Sequence, residues 1–134
     1  MSFFRTAAGY RTFYQDISSN LVVTAATSTT TLVTARSTTN HTIYIQRIVM
    51  FILTDPGALK IDFQDTAGTP FVVAEIPANP GNDTRWDFDF GEQGIPLTQG
   101  KNFQFVPAGT GFVGHIEYYG YSKLTAAMAA GTGN

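Results

Sequence analysis

Asp87 and Asp89 come closest to a reactive constellation in this sequence. Two apart on one extended segment, their carboxyl groups would stand about 6–7 Å apart, which leaves room for the water of an inverting glycosidase. That chemistry also needs one of the two held protonated by burial. Here the acids alternate with Trp86, Phe88 and Phe90. Period two sends the aromatics inward and both carboxylates to water. The pair reads as a solvated strand face.

The remaining candidates are weaker. Asp55, Asp62 and Asp65 offer oxygen ligands, but no dense alternation of carboxylates ends in a bidentate Glu as a calcium loop requires, and aspartate at Asp55 and Asp65 is ordinary turn chemistry. His41 and His115 are the only histidines and have no third ligand at zinc-like spacing. The chain has no cysteine. It also lacks a nucleophile elbow, a phosphate loop and a dinucleotide fingerprint. No catalytic residue, cofactor or metal is expected, and the protein is not expected to be an enzyme. A different site chemistry is stacking: Trp86 with Tyr119 and Tyr121, joined by Tyr44 and Tyr118, would build a carbohydrate platform if exposed together. The alternative places Trp86 in the core.

Composition narrows the partners. Charged residues are 13% of the 134 residues and the net charge is −2, against a usual charged share of about 25%. This leaves no basic footprint for nucleic acid or an anionic membrane. The N-terminal segment has no apolar core of secretory length, and no stretch approaches the ~20 apolar residues that span a bilayer. The expected protein is soluble and not exported by a standard signal; a surface this poor in charge suits a chain that works inside an assembly, and its plentiful Thr, Ser, Asn and Gln can solvate a surface too.

The elements that must position these residues are strands. Leu21–Ala25 and Thr30–Ala35 are β-prone pieces among polar clusters. Thr42–Leu53 follows and ends at Asp55-Pro56-Gly57, a strong turn signal. Leu59, Ile61 and Phe63 alternate with Lys60, Asp62 and Gln64; Phe71–Ile76 pairs back, and Trp86, Phe88 and Phe90 mark the clearest one-sided strand. Short extended pieces at Ile95–Leu97 and Phe103–Phe105 precede a final strand, Phe112–Ser122. About eight strands and no helix predict an all-β, antiparallel two-sheet β-sandwich, jelly-roll-like in topology, over residues 21–124. Residues 1–20 read either as an extended N-terminal arm, with Phe3, Phe4, Tyr10, Phe13 and Tyr14 for docking on a neighbour, or as an ordinary first strand and loop packing on their own domain, and residues 125–134 read as a flexible C-terminal tail.

Thr42–Leu53 is apolar on both faces under uninterrupted alternation. Ile43, Ile45, Val49, Phe51 and Leu53 fall on one side, and Tyr44, Ile48, Met50 and Ile52 on the other. Either both faces are covered within the domain, or the second face is buried against another chain, and on that second reading Tyr44, Ile48, Met50 and Ile52 are the expected subunit interface.

From Thr42 to Lys123 the segments TIYIQRIVMFILTD, IDFQDTAGTP, WDFDFGEQGIPLTQGKNFQF and GHIEYYGYSK resemble small β-sandwich virion proteins of tailed bacteriophages. The resemblance is one of rhythm and includes no catalytic motif. It implies a non-enzymatic capsid decoration or cement protein on the exterior of the phage head, bridging subunits of the major capsid protein. It also implies a homo-oligomer, commonly a trimer, made in the host cytoplasm. A carbohydrate- or receptor-binding module of a fibre or tail is the other function it allows.

Overall fold

The computed structural model describes residues 14–26, 28–35, 41–55, 57, 60–107 and 112–124. These form nine strands: β1 (Tyr14–Ala26), β2 (Thr30–Val33), β3 (His41–Thr54), β4 (Ile61–Asp65), β5 (Val72–Ile76), β6 (Thr84–Asp89), β7 (Ile95–Pro96), β8 (Phe103–Pro107) and β9 (Phe112–Leu124). One sheet has the order β1-β9-β3-β6, with β7 also on β3, and the other has the order β2-β8-β4-β5. Every pairing is antiparallel. Because β6 and β7 lie along the same strand β3, they act as two halves of one strand position. First then pairs with last, second with second-last, and so inward, which is the nested pairing of a jelly roll. The all-β sandwich read from the sequence is the fold observed.

The core lies between the sheets. Ile43, Ile45, Ile48, Met50 and Ile52 of β3 and Ile116 of β9 meet Ile61, Phe63, Ile76, Phe103 and Phe105 of the opposite sheet. These side chains are all removed from solvent. Phe63 packs between Phe103 and Phe105 at centroid distances of 6.3 Å to each. Tyr118 meets Phe103 edge-on at 6.0 Å and donates its hydroxyl to the Leu32 carbonyl at 2.8 Å, which ties the sheets together. Alternation works on β4, β6 and β8, whose inward residues are those the sequence pattern selects.

β3 departs from that pattern. Its register against β9 shifts between Ile45 and Arg47, so Gln46 is a bulge. One extra residue reverses the phase of every side chain beyond it. Ile43 and Ile45 therefore share the interior with Ile48, Met50 and Ile52, whereas Tyr44 shares the outer face with Arg47, Val49 and Phe51. Ile48, Met50 and Ile52 are 0% exposed within a single chain and are not a subunit interface. The adjacent polar pair Gln46-Arg47, inside an otherwise apolar run, is the sequence signal for the bulge.

Two glycines let β9 run close beside the irregular β3. A Cβ on Gly120 would lie 2.1 Å from the Tyr44 carbonyl oxygen, next to the Gln46 bulge. At Gly114 it would lie 2.0 Å from the Phe51 carbonyl oxygen, beside the second shift between Ile52 and Thr54. No other residue type fits at either position without moving the backbone.

Candidate docking face

Asp87 and Asp89 point outward, as alternation requires, and Asp87 is committed to a salt bridge. Arg47 donates Nε to Asp87 Oδ1 at 3.0 Å and Nη2 to Oδ2 at 2.6 Å, a two-pronged contact. The Arg85 guanidinium lies 3.6 Å from the same carboxylate. The hydrogen bond from Arg47, reinforced by the charges of Arg47 and Arg85, holds the Asp87 carboxyl below the usual carboxylate range. This is the opposite of what a general acid needs. Asp89 accepts the Gly91 N–H at 2.9 Å and shapes the turn after β6.

The same outer face, carried by β1, β9, β3 and β6, holds a band of partly exposed aromatics. Tyr44 and Tyr121 are opposite in register and stack at 4.8 Å with 7° between their planes. Tyr121 donates its hydroxyl to the Gln93 carbonyl at 2.8 Å, and Lys123 Nζ stands 5.8 Å from the Tyr44 ring centre. Tyr119 donates to Glu117 Oε1 at 3.0 Å; that hydrogen bond, with the Glu117 charge beside it, raises the phenol's pKa. His115 Nε2 lies 3.8 Å from Glu117 Oε2, and its ring stacks on Phe51 at 5.7 Å. Val49 lies between Glu117 and Asp87 in register and is nearly covered by the chain itself. These aromatics come from separate strands and are ordered before any partner arrives.

This geometry separates the residues proposed as a sugar platform. Trp86 lies opposite Met50 on the inner side of β6 and packs on the core, with Nε1 donating to Thr84 Oγ1 at 3.3 Å. Tyr119 and Tyr121 are on the outer side, and Tyr118 is buried inside. Trp86 and the outer tyrosines therefore cannot stack on one ligand. The reason is strand parity: Trp86 has inward parity on β6, whereas Tyr119 and Tyr121 have outward parity on β9.

The aspartates considered for calcium do turn work. Asp55 accepts from Gly57 N at 2.7 Å and Gly81 N at 3.0 Å. Asp65, fully buried, accepts from Ala67 N at 3.1 Å, Phe71 N at 3.0 Å and Thr98 N at 2.9 Å, joining the β4–β5 turn to the segment after β7. Burial would raise its pKa, but the hydrogen bonds from Phe71, Thr98 and Ala67 outweigh it and hold the carboxyl low. Among the described residues no three His, Asp or Glu side chains gather as a metal site.

Phe3, Phe4, Tyr10 and Phe13 lie outside the described residues, as do residues 125–134. Tyr14 begins β1, and Tyr14–Asn20 are strand paired with Glu117–Lys123, so the boundary read at residue 20 falls inside an element. Among the described residues no helix is long and apolar enough to cross a membrane.

No family profile and no curated protein matches this sequence. Among solved structures, a chain from Bacillus endospore appendages, described as forming a novel family of disulfide-linked pili, is similar at a TM-score of 0.40. Its sequence identity is 8%, over 84% of this chain and 88% of that one.

Proposed function

We propose that this chain is a non-enzymatic structural subunit of a phage virion, a decoration or cement protein that stabilises the head by bridging neighbouring capsid subunits. The observation that carries the assembly role is the outer face of the five-stranded sheet. Tyr44, Phe51, Tyr119 and Tyr121 are held partly exposed there by stacking and by hydrogen bonds within the face, beside the charges of Arg47, Asp87 and Glu117. A pre-ordered face of aromatic and paired polar groups loses little side-chain freedom on docking. The placement on a phage head rests on the resemblance over residues 42–123.

In this reading the docking residues are Tyr44, Phe51, Tyr119 and Tyr121 in place of Ile48, Met50 and Ile52. Apolar burial at roughly 25 cal/mol per Å² in each contact, repeated across many copies, resists the outward pressure of packaged DNA. The test is to incubate purified protein with expanded, undecorated phage heads and count bound copies per head by quantitative mass spectrometry. Saturation at a lattice-wide number supports cementing, and loss of that binding in Tyr44→Ala/Tyr121→Ala assigns it to this face. Failure to bind heads, with saccharide-dependent quenching of tyrosine fluorescence, would transfer the same face to glycan or receptor recognition.

A further inference from the structure

The two edges of the five-stranded sheet are built differently. β6 closes one side with Arg85, Asp87 and Asp89 among six residues, and β7 continues along β3 beside it. Charged residues on an edge discourage pairing with another chain. β1 forms the other edge with 13 residues, YQDISSNLVVTAA, of which Asp16 alone is charged and none is proline or lysine. At ~3.3 Å per residue this strand is on the order of 40 Å long. Among the described residues its hydrogen-bonded neighbour is β9 on one side only. Ile17 and Leu21 of β1 turn toward the core yet are only partly buried, and Val22 is 72% exposed. An open groove of about 320 Å³ runs beside Leu21–Thr24, reaching Thr30 and Phe105 of the other sheet.

We propose that β1 pairs antiparallel with β1 of a second copy of this chain about a two-fold axis at Asn20, making one continuous sheet across two subunits. A second copy fits because the strand complements itself in this register. Asn20 faces its own counterpart, and Ser18 lies opposite the second copy's Val22. Asp16 lies opposite the second copy's Thr24, so the strand's one charge never meets its like. On the inner side Ile17 comes opposite the second copy's Val23, which covers apolar surface that one chain leaves partly open. The pairing produces a dimer, in place of the trimer that the resemblance implies, and requires no capsid, so its test is separate from the head-binding assay.

The test uses the full chain. Sedimentation of the wild type at rising micromolar concentration is expected to show a monomer–dimer equilibrium. Asn20→Lys is expected to weaken it roughly tenfold or more by facing two lysines across the axis, while Glu117, opposite Asn20 in β9, keeps the fold's own pairing favourable. Asn20→Cys, the sole thiol in the chain, is expected to form a disulfide-linked dimer on mild oxidation, whereas Glu75→Cys on the far sheet is not. A folded wild type that stays monomeric overturns the proposal. So does a folded Asn20→Cys that fails to cross-link. Exchange protection of the alternate β1 amides that point away from β9, at concentrations where the protein is monomeric, would assign the edge to another segment of the same chain and likewise overturn it.

Discussion

The centre and the β1 edge of the five-stranded sheet obey opposite constraints. At the centre, β3 and β9 approach so closely that the Gly114 and Gly120 sites have no room for a methyl group, and the inward side chains are sealed from water. At the edge, β1 is of similar length, but it leaves one row of backbone groups unpaired among the described residues, with Ile17 and Leu21 only partly buried and Val22 exposed. The centre cannot accept an added atom. The edge is where another strand can be added at little cost to the fold. Stability and association therefore separate within a single sheet, and substitutions at the two places should report on different properties.

The strongest way to break that separation is Met50→Asp. With Met50 fully buried between the sheets, an unpaired carboxylate there is expected to unfold the domain, a loss of several kcal/mol read by chemical denaturation. A folded Met50→Asp protein with altered assembly would return Met50 to a subunit surface. Next is Gly120→Ala, whose added Cβ meets the Tyr44 carbonyl; the expected loss is about 1–3 kcal/mol, with head binding impaired only as far as the fold is. An unchanged melting temperature would show that β9 can shift away from β3.

Asp65→Asn tests a smaller, local element. It keeps the side chain's size but presents an amide where Thr98 now donates, and it is expected to cost about 1–2 kcal/mol. Because the folded-state pKa of Asp65 lies below its unfolded value, its contribution is fully present above the ordinary carboxylate range. It is lost as pH falls through the lowered value, so the difference between wild type and Asp65→Asn should shrink in acid. Equal differences at neutral and acid pH would remove Asp65 as the cause. The smallest effect belongs to Arg47→Ala. Its salt bridge with Asp87 is solvent-exposed, so stability should change little and the change should diminish with added salt, while binding to heads falls if the outer face docks there.

Much of the architecture was legible because it is local. Turn residues at Asp55 and Asp65 accept the backbone hydrogen bonds their types predict. On β6, strict alternation placed Trp86 and Phe88 inside and Asp87 and Asp89 outside. The candidate site was less legible. Ile48, Met50 and Ile52 were assigned to the wrong side because alternation was carried through Gln46, and of the predicted interface residues Tyr44 alone lies on the outer face. Phe51, which lies on the same outer face as Tyr44, was assigned to the face opposite it for the same reason.

That the chain is all-β, that it is a two-sheet sandwich, and which short strands have one wet face could all be read from the residues, since these follow from side-chain size and period-two alternation over a few positions. It took the folded arrangement to show that β3 changes phase at Gln46, that Tyr14–Asn20 belong to a strand, that Trp86 and the outer tyrosines lie on opposite faces, and that β1 is an edge among the described residues. Each of these depends on which strand lies alongside. A bulge, a close-approach glycine and an unpaired edge are relations between strands far apart in the chain, and no single segment's pattern records them.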